Sequence, residues 1–408
     1  MSLRSSSVAC RLAGVVPILA VGPVLLSSAA CGTGEARTAA WRGGIDTLET
    51  GRVVVTNPAE GVWDSATTWR IVEEVRIGAA DGAGPDMFGR ISTFDVGPTG
   101  EFYVLEGQAQ ELRVFGRTGA HVRTIGRKGG GPGEFQEVVG LAWAPDGNLW
   151  VIDPSNARIS VFDTAGNYLT NHRALGGMII FPWPGGFDEE GWFYNYAPNP
   201  NVQGYETVLV RYDDQLEPVD TIWPPRDEDV AFFESPTETG GWMRAGVPFR
   251  PGLVWRLSPT GHIWFALTGT YQLFQSTLQG DTLRVISREF TPLPVTAEDV
   301  DSAVARLEWF TRQGGKIDLS RFPGVQPALR TFYLDDEGNI WVLPRTREGL
   351  SGHVLEVFDP QGRFLGSVRV PVALSPYPPP IFRNGMIYGV TLDELEVPYL
   401  FRARIIKP

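Results

Sequence analysis

One turn recurs six times, and it constrains the fold more than any other feature of the chain. A short strand runs into Pro, Asp or Glu, then Gly, then a strand of alternating aromatic and aliphatic residues. The copies occupy residues 94–104, 143–151, 187–194, 257–265, 334–342 and 382–388, with turn glycines at Gly100, Gly147, Gly191, Gly261, Gly338 and Gly385. Pro or Asp presets a type I bend, and Gly takes the positive φ that returns the chain antiparallel. Alternation with period two then sends every second side chain into a core.

The spacing of the glycines selects the architecture. Gly100 and Gly147 are 47 residues apart, Gly147 and Gly191 are 44 apart, and Gly338 and Gly385 are 47 apart. A period of about 45 residues is one four-stranded propeller blade. The steps from Gly191 to Gly261 and from Gly261 to Gly338, 70 and 77 residues, carry insertions. Third strands follow most turns, at 112–115, 159–163 and 354–359, with weaker versions at 208–212, 271–277 and 399–405. The expectation is an all-β, six-bladed β-propeller of four-stranded antiparallel blades. Such a ring accommodates 408 residues because each unit packs only on its neighbours. The 48 Gly, 32 Pro, 22 Phe and 13 Trp fit many short strands joined by tight turns.

The run Ile125-Gly126-Arg127-Lys128-Gly129-Gly130-Gly131-Pro132-Gly133-Glu134-Phe135, followed by the Pro145-Asp146-Gly147 turn and the Val161-Phe162-Asp163 strand, resembles an NHL repeat. A degenerate partner runs from Ile77-Gly78 through Gly84-Pro85 to Phe88. The resemblance covers about residues 69–406 and is closest to the exported six-bladed propeller lipoproteins of bacteria. Within the chain, Val75-Arg76-Ile77-Gly78 occupies the place of an outermost strand with no earlier blade. It is expected to complete the last blade beside 399–405, removing an exposed sheet edge. Residues 51–57, with Val53, Val54 and Val55 at their centre, compete for that role; 69–78 is preferred.

The N-terminus reads as a processing segment. Arg4 and Arg11 flank a basic region, residues 12–26 are uncharged and mostly apolar, and Ser28-Ala29-Ala30 offers small residues for cleavage. The run is short of the roughly 20 residues of a membrane span. Cys31 follows, and residues 26–31 resemble a bacterial lipobox, with Ser28 where Leu is usual. Cys31 is the expected lipid-attachment site; ordinary secretion with a free thiol is the alternative. The resulting division is a signal peptide over 1–30, a lipidated tether over 31–49 and a propeller over 50–408. Gly32, where Asp would favour retention, leans towards outer-membrane sorting by analogy with better-known lipoproteins. Losing residues 1–30 leaves 33 basic against 47 acidic side chains, a net charge of −14 that disfavours nucleic acid and anionic lipid surfaces. Membrane contact is expected through the lipid alone, and the protein is expected to be a monomer.

Two insertions interrupt the pattern. In 296–313, Thr296 is an expected N-cap, Glu298 and Asp299 meet the helix dipole, and Val300, Ala303, Val304, Leu307 and Phe310 form an apolar face. This helix either packs on the propeller's outside or forms a lid over one channel mouth. Residues 221–252 read as irregular, their aromatics buried against a blade edge or displayed as a gripping rim.

Catalytic motifs are sparse. Gly129 to Gly133 lacks the following Lys-Ser/Thr and helix of a phosphate loop, and no nucleophile elbow, His-Glu-x-x-His or paired-Cys motif is present. His121, His172, His262 and His353 are scattered over outer strands, turns and strand starts. The acidic groups Asp188-Glu189-Glu190, Asp213-Asp214 and Asp335-Asp336-Glu337 lie in turns, where solvated carboxylates are expected. Arg90, Arg250 and Arg330 stand near the openings of innermost strands, ten, eleven and eight residues before their turn glycines. Converging at the channel mouth, they would bind carboxylate or phosphate, with Trp183 as an aromatic wall; otherwise they are separate packing arginines. The expected function is a ligand- or protein-binding module without cofactor or catalysis, its partner a protein or an anionic small molecule. The family resemblance admits an alternative: a streptogramin-type or peptidylglycine lyase, or a metal-dependent lactonase or hydrolase, with a divalent metal on the axis. The His, Glu, Asn and Asp sets such enzymes use cannot be traced residue by residue here.

Overall fold

The computed structural model describes residues 40–173, 175, 183, 185–198, 207–223, 225, 231–237, 240–347 and 352–408. Cys31, the signal peptide and the tether up to residue 39 lie outside the described residues.

The six expected sheets are present in a ring. Blade 1 is Ile91–Val96, Phe102–Glu106, Glu111–Phe115 and His121–Ile125. Blade 2 follows from Gly140–Trp143, and blade 3 from the short inner strand Gly186–Phe187. Blades 4, 5 and 6 open with Leu253–Leu257, Leu329–Leu334 and Ile381–Arg383. The first strands of blades 1 to 3 touch in succession, as do those of blades 4 to 6. At all six turn glycines φ is positive, from +67° at Gly385 to +91° at Gly100, the region that a side chain disfavours.

What holds the ring is the contact between sheets rather than within them. Each of six apolar clusters draws from two adjacent blades. Tyr103 and Leu105 of blade 1 meet Leu149 and Val151 of blade 2, for example, and Trp341 of blade 5 meets Phe382 and Ile387 of blade 6. Closure follows the preferred reading. Arg70–Ile77 pairs antiparallel with Pro398–Ile406, giving blade 6 its outer strand. Glu74 receives Arg402 at 3.0 Å and also Arg404 across that seam.

Residues 51–57 find another place. Val53–Asn57 adds parallel to the outer strand of blade 4, Thr282–Arg288, with Val55 opposite Ile286. Gly44–Thr47 then pairs with it antiparallel, so blade 4 has six strands. The tether expected over 31–49 is corrected accordingly: its last residues are a strand, because Val55 is fully buried between blades 4 and 5 and its hairpin partner follows it.

The two insertions form a cap of their own. Helix α1 (Ala297–Arg306) begins with a capping box between Thr296 and Asp299, and α2 (Glu308–Arg312) follows. Residues 221–252, expected to be irregular, contain the hairpin Phe232–Pro236 and Trp242–Gly246. Its alternation sends Phe233, Met243 and Ala245 inward onto Phe310 and Leu307. The same alternation turns Phe232 and Trp242 outward, and Trp242 is 68% exposed, so these aromatics are not buried against a blade edge. Leu307 and Phe310, the C-terminal part of the expected apolar face, are thus spent on the hairpin.

Candidate functional site

The inner strands share a register that the turn glycine sets. Five residues before it, blades 1 to 5 carry Asp95, Ala142, Gly186, Arg256 and Tyr333. Two small residues on blades 2 and 3 leave room, and opposite them an axial cavity of about 310 Å³ opens. Trp183, Trp255, Arg256, Tyr333, Phe382 and Arg383 line it, drawn from blades 3 to 6.

Each wall is braced from behind. Trp183 is buried, stacks on Phe193 at 5.8 Å and donates Nε1–H to Asn195 Oδ1 at 2.9 Å. Trp255 stacks on Tyr196 at 5.5 Å, and Tyr333 stacks on Phe382 at 5.5 Å. The phenol of Tyr333 is buried, makes no hydrogen bond among the described residues, and is pushed up to about 12 by that burial.

The polar groups are cationic. Arg256 donates to the carbonyl oxygen of Trp255 and to Thr331 Oγ1, each at 3.0 Å, and lies 5.7 Å over the Tyr333 ring. It makes no ion pair among the described residues, and burial lowers its guanidinium from the usual range, with nearby Tyr hydroxyls opposing. Arg383 reaches towards blade 1, where its Nη1 lies 3.4 Å from the Val96 carbonyl oxygen and its charge acts on Asp95. The bordering acids are already engaged. Asp335 accepts from Asn339 and from Trp341 Nε1, and Asp336 from the Asn384 backbone at 2.7 Å. Asp95 is enclosed deeply enough that its carboxyl is raised to about 6 by burial, with Arg383 and the Val96 N–H opposing.

The sequence-derived candidates divide. Trp183 lines the axial cavity. Arg330 lies at the other end of the blade 5 inner strand, in a second cavity with Arg306 and Arg345. Arg90 and Arg250 are exposed and border neither space; the Arg90 backbone is fixed by the buried Glu106, which accepts its N–H at 3.0 Å. The three arginines therefore do not form one pocket. Arg256, Tyr333, Arg383 and Asp95 were the residues missed, although the constant offset from the turn glycine would have found three of them.

The histidines are elsewhere. His172 stacks on Trp150 in an outer strand, His121 packs edge-on against Phe115, and His353 Nδ1 approaches the Val370 carbonyl oxygen. Among the described residues no three His, Cys, Asp or Glu side chains gather as a metal site. No described helix is long and apolar enough to cross a membrane.

No family model and no curated protein matches the chain. Among solved structures, a protein of Bacteroides fragilis described as exported superposes with a TM-score of 0.50 at 12% identity, covering 87% of this chain and 100% of that one. Virginiamycin B lyase from Staphylococcus aureus gives 0.44 at 11% identity over 83% and 100%, and a gluconolactonase from Xanthomonas campestris gives 0.39 at 12% over 78% and 87%. The first of these shares the fold, and the chain is a six-bladed β-propeller.

Proposed function

We propose that this protein is an exported, lipid-anchored binding module whose axial cavity holds a small molecule with a flat apolar body and an acidic group. The observation that carries this reading is Arg256, a half-buried guanidinium without a carboxylate partner among the described residues, set among Trp255, Tyr333 and Trp183. Aromatic walls supply contact area at low entropic cost, and a desolvated guanidinium supplies orientation. Export is supported by the residues before Cys31 and by the likeness to an exported Bacteroides protein.

Titration calorimetry with 2-naphthoate tests the ligand chemistry. Saturable one-to-one binding is expected, weakened at least tenfold by Arg256→Gln and by Trp255→Ala with the fold intact. Binding that both variants leave unchanged overturns the reading. For the anchor, Cys31→Ser is expected to move the protein from the membrane fraction to the soluble one.

An enzymatic reading is favoured by one feature, Asp95. A carboxyl on the blade 1 inner strand, raised to about 6 by burial against the charge of Arg383, is suited to exchanging a proton near neutral pH. Turnover abolished by Asp95→Asn, with naphthoate binding retained, would establish it.

A further inference from the structure

The second cavity is built differently from the first. It measures about 470 Å³ and is bordered by Arg306, Arg330 and Arg345, with Asp299, Ser302, Gln326 and Phe249. Its guanidinium groups come from three elements: α1, the inner strand of blade 5, and the residue after Ile340–Pro344. Arg330 is the extra residue of a β-bulge, since Leu329 pairs with Pro344 and Thr331 with Leu343, and a bulge re-aims the side chain it carries.

Helix α1 supplies the opposite wall with its polar side. Asp299, Ser302 and Arg306 follow at i, i+3 and i+7, so they share one face, while Leu307 and Phe310 of the cap lie against the hairpin. A helix that merely covered the propeller would bury its apolar face on the blades. Here Leu307 and Phe310, at and beyond the end of α1, pack in the cap, and Asp299, Ser302 and Arg306 border the space at the start of the blade 5 strand.

The charges in this space are not balanced from within. Asp299 is the one bordering carboxylate among the described residues, and its Oδ2 already accepts both the N–H and the hydroxyl of Thr296. Arg306 and Arg330 make no hydrogen bond or ion pair among the described residues, and Arg345 Nη1 donates to Gln326 Oε1 at 3.2 Å while its Nε is buried without a partner. Burial lowers the Arg345 guanidinium, and the charges of Arg330 and Arg306 lower it further, with Asp299 opposing. Half-buried Arg330 and Arg345 and exposed Arg306 border one space in a protein of net charge −12, and an anion between them would offset their mutual repulsion.

We propose that this cavity is a binding site for a doubly charged tetrahedral oxyanion of the phosphate class, separate from the axial cavity. Thermal shift and calorimetry on the purified protein test it with inorganic phosphate, glycerol phosphate, succinate and phosphatidate vesicles. Saturable stabilisation by inorganic phosphate, and by glycerol phosphate if the natural source is a soluble ester, is expected; binding to the vesicles alone would identify a lipid headgroup as the source and still support the site. Arg330→Gln and Arg306→Gln should each weaken binding at least tenfold while leaving the unliganded protein as stable or more stable, since each removes a repulsion. A structural role would instead destabilise. Arg256→Gln should bind phosphate normally, which separates this site from the axial reading. No saturable response to phosphate, glycerol phosphate or vesicles overturns the proposal, as do a preference for succinate or an unchanged response in both glutamine variants.

Discussion

Asn57 accepts the backbone N–H of Phe364 at 2.7 Å, joining the strand added to blade 4 with the outer strand of blade 5. Its Nδ2 donates to the carbonyl oxygens of Ser287 and Gly362, both at 3.0 Å, and Trp41 Nε1 donates to its Oδ1 at 3.0 Å. The side chain is 3% exposed, so every polar atom it carries is satisfied out of water. Asn57→Ala strands these partners, and leaving buried groups unmade costs about 2–3 kcal/mol in all. Denaturant unfolding is the measurement. Trp41→Phe removes one of the bonds and should cost about 1 kcal/mol. Equal effects of the two would mean that the added strand, rather than Asn57, provides the coupling.

Asp95 makes stability depend on pH in an unusual direction. Burial raises its carboxyl in the folded chain to about 6, so its contribution is full below about 3.8 and fades as pH rises through about 6. Asp95→Asn should match the wild type near pH 4 and exceed it in stability above pH 6. The buried Glu356 is also raised by burial, with Arg288 opposing and Tyr271 bonded to it, so a slope of the same sign persists in the variant. The difference between the two melting-temperature profiles isolates Asp95. Arg383→Gln strips the charge that opposes its protonation and should carry the fade to higher pH. A flat difference profile would place Asp95 in contact with solvent.

Some of this was legible in the residues and some was not, for identifiable reasons. Positive φ selects glycine, so Gly100 and its five counterparts announced the blades. Closure was legible because Val75 to Ile77 belonged to an outer strand with no preceding blade. Val53 to Val55 read as a strand, but no local signal says which free edge a parallel strand will join. The Phe232–Pro236 hairpin was hidden by flanking prolines and by a turn without the repeat's Asp-Gly signature. Arg90, Arg250 and Arg330 were grouped by nearness to strand starts, whereas loops and the bulge at Arg330 make the start an unreliable origin. Counted from the turn, the strands place Arg256 and Tyr333 together.

Gly140 is required by Trp183. A Cβ at residue 140 would come within 2.4 Å of the indole, with no room on the opposite side because the ring already stacks on Phe193. Gly140→Ala must displace Trp183 and its hydrogen bond to Asn195, at a cost of about 1–3 kcal/mol for an overpacked site. The axial cavity changes shape with it. Naphthoate affinity should fall together with stability, and tryptophan emission should shift to the red as the indole gains water. Loss of stability without loss of affinity would remove Trp183 from the ligand's surroundings.

Phe310 tests whether the cap is a unit distinct from the ring. It is fully buried, packs on Phe233 and leaves no room for a Cβ at Gly315, and its cluster contains no residue from a blade's inner or middle strands. Truncating a buried Phe costs about 3–5 kcal/mol, and here that cost falls on the hairpin and two short helices alone. Phe310→Ala should therefore loosen the cap, with faster proteolysis near Gly240 and Gly314, while the main unfolding transition stays where it was. Arg306 would lose its fixed position with α1, so the response to phosphate should disappear while naphthoate still binds. A single cooperative transition shifted as a whole would mean that the insertions are part of the propeller's own core, and that the space beneath α1 is held open by the blades rather than by the cap.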